Sequence, residues 1–344
     1  MEPAYWECPK SDTTGDAISK LIAFICFLSL FLGLGLLIIL CFLKSYTRTY
    51  LIHLRAITAS TVLCSIIGFC HHTIPARIGP NDYILGRIVC HVWRSLYLFD
   101  VCYIFGALNL VFMVGHRAIQ IAEKYQNSFA PSMFSDVTCL IIIGVSSILS
   151  VLSQAFVVLF DGNYCFCRET DIPYIVLVCA YVGSFVRFGL AVIISPIFLC
   201  FSCYKIIQWV RNTPAEKLWD TWNCLTFPGT TDRQIKELRR PRGWMTASMC
   251  TVPLSANFVA CSLYGNIYQF LCAAGLGKMK LGSLTYRAGI VLLYLQLFFS
   301  PIIIAVYIPA LWDPFVLGAR RMPSILFKKV RTLVAEDAGD LQIP

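Results

Sequence analysis

Three ionisable residues, Arg94, Asp100 and Arg187, stand inside stretches that are otherwise long and apolar. A charge in such a stretch is costly unless it faces a protein interior, a wet cavity or an opposite charge, so each marks a candidate binding or ion-pairing position. Arg94 carries a planar fork suited to a carboxylate or phosphate, with snorkelling to lipid headgroups as the competing use. Asp100 and Arg187 can make a buried interhelical ion pair or bind ligand separately. Tyr97, a turn inward of Arg94, would add a phenol to the same space. The chain has no carboxylate pair, metal-spaced His/Cys cluster, phosphate loop or nucleophile triad in a soluble setting, so no enzyme, cofactor or resident metal is expected. Cys165-Phe166-Cys167 is too short for a zinc site by itself and reads as disulfide chemistry.

The elements that must hold these groups are apolar throughout. Of 344 residues, 58% are hydrophobic and 14% charged, against roughly 45–50% and 25% in soluble domains. Lipid must cover what polar surface cannot. Leu21 to Leu43, Val137 to Phe160 and Ala288 to Trp312 each run 23 to 25 residues without Asp, Glu, Lys or Arg, enough to cross about 30 Å of hydrocarbon. Gly243 to Gly277 is equally free of these residues and longer than one span needs. Weaker spans are expected at Ala56 to Ile74, Ile88 to Val114 and Ile172 to Tyr204. The sum is an all-α membrane protein, a seven-transmembrane helix bundle forming a single domain over 1–344. Residues 1–20 form an extracellular N-terminus, 21–312 the bundle and 313–344 a cytoplasmic tail.

Orientation follows from the basic residues, which carry a net charge of +9. With the N-terminus outside, eighteen Lys and Arg fall on the inner side and eight on the outer, as the positive-inside rule requires. Being spread between apolar segments, these charges favour membrane lipid as partner and exclude nucleic acid. Cys8, Cys90, Cys165 and Cys167 then lie on the oxidising side. The Lys205 to Arg242 segment is a basic inner loop, and Phe315 to Val334 mixes apolar with basic residues, as in a short amphipathic helix on an anionic leaflet.

Order and spacing of several motifs resemble the rhodopsin-like (class A) G-protein-coupled receptors across nearly the whole chain. Tyr83-Ile-Leu85-Gly86-Arg-Ile-Val-Cys90 is similar to the family's Trp-x-Phe-Gly-x-x-x-Cys. Val114-Gly115-His116-Arg117-Ala118-Ile119 is similar to Asp-Arg-Tyr-x-Ala-Ile. Pro196 and Tyr204 repeat the Pro and Tyr of the fifth span. Cys250-Thr251-Val252-Pro253 resembles Cys-Trp-x-Pro in the sixth, and Ser300-Pro301-Ile302-Ile303-Ile304 resembles Asn-Pro-x-x-Tyr in the seventh.

The resemblance implies a multi-pass plasma-membrane receptor for an extracellular ligand of unknown identity. It implies a disulfide from Cys90 to Cys165 or Cys167, the spare cysteine being open to Cys8. It also implies a ligand site near Arg94, Tyr97, Asp100 and Arg187; Tyr97 stands where amine receptors carry Asp, which disfavours an amine. Gly115, Pro196, Tyr204, Cys250, Thr251, Pro253, Ser300, Pro301 and Ile304 occupy the conformational switch positions. There Gly115 replaces an Arg, Thr251 a Trp and Ile304 a Tyr. Gly33, Thr61 and Ser300 replace the polar and acidic residues of the family's sodium site, so none is expected. Arg117 could in principle stand in for the missing Arg, but it should point about 200° from Gly115 on an ideal helix, so an inner-leaflet anchor is the expected role. Coupling to a heterotrimeric G protein, through the inner face and the Lys205 to Arg242 loop, should then be weak or atypical. The competing readings are a non-signalling or scavenging seven-helix protein, and a transporter or channel.

Overall fold

The computed structural model describes residues 4–9, 15–45, 48–74, 83–122, 133–161, 165–170, 172–214, 221–223, 225–226, 246–308 and 311. Nine α-helices are defined among them: α1 (Ala17–Phe42), α2 (Arg48–Thr73), α3 (Tyr83–Ile88), α4 (Tyr97–Ile121), α5 (Met133–Ser150), α6 (Tyr174–Phe188), α7 (Ser195–Asn212), α8 (Thr251–Ala273) and α9 (Leu284–Tyr307). Six stretches among the described residues are long and apolar enough to cross a membrane: α1, α2, α4, Phe134–Phe156, the continuous Tyr174–Asn212, and α9. This is the make-up of a multi-pass helical membrane protein. Helix α8 has the length and carries no Asp, Glu, Lys or Arg, yet falls below the others in hydropathy because Ser255, Asn257, Ser262, Asn266 and Gln269 are spread along it.

The distribution of side chains has the sense expected in lipid. Phe24, Phe31 and Phe42 on α1, Ile141 and Leu149 on α5, and Ile197 and Phe201 on α7 are exposed, while Ser29, Ser60, Thr61, Ser65, Asn109 and Ser300 are buried. In water such a surface would be a continuous apolar patch. In a bilayer only packing and internal hydrogen bonds draw helices together, which favours small polar residues between them. Ser65 Oγ accordingly donates to Ser29 Oγ at 2.9 Å, joining α2 to α1. Helix α1 packs on α2 and α9, α2 on α4, α4 on α5 and α7, and α8 on α6 and α9.

Local signals set several helix ends. Asp16 caps α1 by accepting from the Ser19 amide at 2.9 Å, and Ser283 caps α9 through the Tyr286 amide at 3.2 Å; each satisfies one orphan donor of a first turn. The two starts are tied together, since the Arg287 guanidinium grips both Asp16 carboxylate oxygens and the Ser19 hydroxyl.

Three expected spans are corrected. The third, Ile88 to Val114, is not one helix: α3 passes into a wide six-residue turn over Val89–Arg94, and Leu96 takes a left-handed φ of 60° before α4 begins. A branched side chain adopts that conformation only when its surroundings impose it. The fourth ends at Phe156, because Val158–Phe160 forms strand β3, antiparallel to β4 (Cys165–Cys167). The fifth continues past Tyr204 to Asn212. It widens at Gly189–Ile194 just before Pro196, where the missing proline N–H and the ring would otherwise break an α-helical ladder.

Two other two-residue sheets fasten chain ends and loops to the bundle. In the first, β1 (Trp6–Glu7) runs parallel to β6 (Met279–Lys280). In the second, β2 (Lys44–Ser45) runs antiparallel to β5 (Leu225–Thr226).

Candidate functional site

At the end of the bundle that holds the N-terminal segment, Cys90 bonds Cys165 and Cys8 bonds Cys167. The first bridge joins the wide turn before α4 to the β3–β4 hairpin; the second joins the N-terminal segment to the same hairpin. Both loop cysteines are consumed, which settles the choice left open by the sequence.

The four candidate ligand residues do not converge. Asp100 and Arg187 are brought together, with Oδ2 3.8 Å from Nη1 and each side chain about one-fifth exposed. Tyr97 is turned the other way, its hydroxyl donating to the Ile148 carbonyl of α5 at 3.2 Å. Arg94 donates to the Ile74 carbonyl at 3.3 Å, at the outer end of α2. The break at Leu96 is the cause: it resets the helical phase, so positions counted along an ideal helix from Cys90 do not share a face beyond it.

The middle of the bundle holds a neutral polar network. Tyr103 Oη donates to Gln296 Oε1 at 2.9 Å, Asn257 Nδ2 to the Gln296 carbonyl at 3.0 Å, and Ser300 Oγ to the same carbonyl at 2.7 Å. Beside it lies a cavity of about 30 Å³ bordered by Ser60, Thr61, Gly106, Tyr103, Gln296 and Ser300, room for one or two waters. Thr61 and Ser300 are thus neighbours of one cavity. Gly33 does not border it; a Cβ there would lie against Val62 and 4.0 Å from the Thr61 methyl.

The opposite end of the bundle, expected to face inward, carries the largest departure from the sequence reading. Arg117 is no leaflet anchor: it is 5% exposed. Its Nε donates to Ser248 Oγ at 2.7 Å, and its guanidinium carbon lies 5.0 Å from the ring centres of both Trp209 and Trp222. Trp222 comes from the segment after α7 and stacks on Tyr50 of α2 at 4.2 Å between ring centres. Leu225, also fully buried, follows in β5. Asn223 Oδ1 accepts from the Ala247 amide at 2.6 Å, tying this segment to the approach to α8. A cation between two indole faces, in a place closed to water, is held by hydrogen bonding and by the ring quadrupoles together.

The other switch positions are scattered. Gly115 lies against Phe198, whose ring a Cβ there would overlap, so any larger residue must displace that ring. Tyr204 is 60% exposed, on the lipid-facing side of α7. Thr251 and Pro253 sit in the first turn of α8 rather than mid-helix; Thr251 is buried and its hydroxyl donates to the Ser248 carbonyl at 2.7 Å. Cys250 is level with Ile303, its thiol 4.0 Å from that carbonyl. Pro301 lies inside the continuous α9, beside buried Ser300 and one turn before buried Ile304. Arg239 to Arg242 and the tail after Leu311 lie outside the described residues.

Sequence reasoning missed Trp209, Trp222 and Ser248 at the inner end, and Tyr5 and Trp6 at the outer. The available signal was a tryptophan in a charged loop and two aromatics beside Cys8, each too apolar for its surroundings. No protein-family model matches the chain, and no curated protein matches it.

Proposed function

We propose that the chain is a divergent receptor of the rhodopsin-like, G-protein-coupled type, a seven-helix bundle in the plasma membrane with its N-terminus outside and its C-terminus inside. In this reading α8 is the sixth span and α9 the seventh. An extracellular ligand acts on the outer ends of α4, α6 and α8, and the signal is a change in how α7, α8 and α9 pack at the inner end.

One observation carries the reading: Arg117 ties α4 to the start of α8 through Ser248, to α7 through Trp209, and to the following loop through Trp222. An inward-facing arginine there gives the bundle a latch that an inner partner must open. A hydroxyl and two indoles replace the acidic neighbour that the sequence lacks at Val114. The latch accounts for atypical coupling in a different way from the missing side chain at Gly115, since Trp222 and Leu225 occupy the space an inserted partner helix would need. The same closure is what a non-signalling seven-helix protein would keep permanently.

The experiment is recruitment of heterotrimeric G protein in cells at matched surface expression, for wild type, Trp222→Ala and Arg117→Ala. A receptor should recruit more strongly once Trp222 is removed, with Arg117 still present to meet the partner, and less with Arg117→Ala. No recruitment by any of the three across the G-protein classes supports the non-signalling reading instead.

A further inference from the structure

The N-terminal segment 4–9 is polar and charged in part, yet Ala4, Tyr5 and Trp6 are 4%, 7% and 3% exposed. They enter a cleft between the outer ends of α6 and α8, where Leu177, Ala180, Cys272 and Ala273 form its apolar walls. Tyr5 makes the polar contacts at the cleft base. Its hydroxyl meets Ser184 Oγ at 2.7 Å and accepts from Gln269 Nε2 at 3.4 Å, and its ring meets Tyr181 edge-on with centroids 5.0 Å apart. The backbone is read as well, with the Met279 amide donating to the Tyr5 carbonyl at 2.8 Å and the Leu281 amide to the Glu7 carbonyl at 3.1 Å. Trp6 Nε1 donates to the Arg168 carbonyl at 2.8 Å, and Glu7 lies between Lys278 and Lys280 at 3.9 and 3.8 Å.

An added strand, a side-chain pocket with polar groups at its base, and two lysines for a carboxylate are the parts with which proteins bind extended peptides. We propose that the outer end of this bundle is a binding site for an extended peptide of the type aromatic hydroxyl, aromatic, acid, and that the chain's own Tyr5-Trp6-Glu7 is its tethered occupant in the state described. This deepens the receptor reading by naming the ligand class, and it rests on that reading only for what occupancy would signal. Binding itself can be tested without any coupling partner, so the two can fail separately.

The tether sets the expected numbers. Cys8 is bonded to Cys167, three residues from Tyr5, and a short linkage holds an attached ligand at an effective concentration of about millimolar. A free peptide with the same contacts would therefore have to reach a similar concentration to displace it from the wild-type chain. Weakening the tethered copy should lower that threshold.

The test uses the full chain in lipid nanodiscs and a fluorescent synthetic peptide of Ala4 to Pro9 carrying Cys8→Ser, with binding read by anisotropy. The Tyr5→Ala chain should bind this probe at least tenfold more tightly than wild type. A probe that itself carries Tyr5→Ala should lose that gain, and Ser184→Ala in the Tyr5→Ala chain should weaken binding severalfold. Equal affinity of wild type and Tyr5→Ala for the probe, or indifference to the tyrosine of the probe, overturns the proposal. Should Tyr5→Ala fail to fold, Tyr5→Phe keeps the ring and removes only the hydroxyl contacts. It should gain severalfold in probe affinity over wild type, and no gain there overturns the proposal equally.

Discussion

Arg117 and Trp222 face each other at 5.0 Å, guanidinium carbon to ring centre, although 105 positions separate them in the chain and the tryptophan belongs to a loop rich in charge. The contact makes the loop part of the inner core, alongside Leu54, Met113, Ile206 and Ile304.

The disulfides should matter in proportion to what they tie. Peptide mapping of non-reduced protein should return Cys8 with Cys167 and Cys90 with Cys165. Replacing Cys90 and Cys165 together by Ser should cost about 2–5 kcal/mol, read as a lowered unfolding midpoint in nanodiscs. Recovery of free Cys90 from folded protein would contradict the assignment.

Asp100 and Arg187 should behave as a pair. Leaving one charge alone in an apolar setting is worse than removing both, so Asp100→Leu and Arg187→Leu should each destabilise by about 1–3 kcal/mol, discounted because each side chain is about one-fifth exposed. The double variant should lose less than the sum. Additive losses in the double-mutant cycle would show that the two charges act separately.

Glycines at helix contacts give a contrast within one type of residue. A Cβ on Gly68 would stand 2.5 Å from the buried Tyr294 ring, and on Gly106 2.5 Å from Ser60 Oγ, while at Gly35 nothing lies within 4 Å. Gly68→Ala should therefore cost about 1–3 kcal/mol through overpacking. Gly106→Ala should cost a similar amount, because the buried Ser60 hydroxyl it would displace donates to the Cys102 carbonyl, and Gly35→Ala should be neutral or stabilising by the usual helix preference. Thermal melting of the three variants ranks them.

Acid should weaken the tie between α1 and α9. Hydrogen bonds from Arg287 and from the Ser19 amide hold the Asp16 carboxyl well below the usual carboxylate range. Because the folded-state value is the depressed one, the stabilisation is fully present above the unfolded value of about 3.9 and is lost as pH falls toward the folded value. Asp16→Asn should lower the melting temperature at neutral pH, and the gap from wild type should close as the medium is acidified below about pH 4. A constant gap across that window would mean that the carboxylate charge contributes nothing.

Much of the architecture was legible because membrane insertion is written in composition. Runs such as Leu21 to Leu43 lie close to α1, and the scarcity of charge required a lipid-facing surface. Register within the third span was not legible. Its break depends on Leu96 adopting a left-handed conformation next to a turn tethered by Cys90, a tertiary constraint with no periodic signal, and it turned Tyr97 away. The inner latch was hidden for a related reason: Trp222 and Leu225 lie among Lys217, Asp220 and Arg233, where composition argues for a solvated loop. Tyr5 and Trp6 were equally masked by the polar residues around them.

The account stands or falls on whether Arg117 and Trp222 are energetically coupled, and a double-mutant cycle in nanodiscs measures it. Arg117→Ala, Trp222→Ala and the double variant would be compared with wild type by chemical unfolding. A buried cation–π contact contributes about 1–2 kcal/mol, so the double variant should be more stable than additivity allows by at least about 1 kcal/mol. Additive losses would mean that Trp222 merely fills space beside an arginine that does not hold it, and the latch would have to be abandoned.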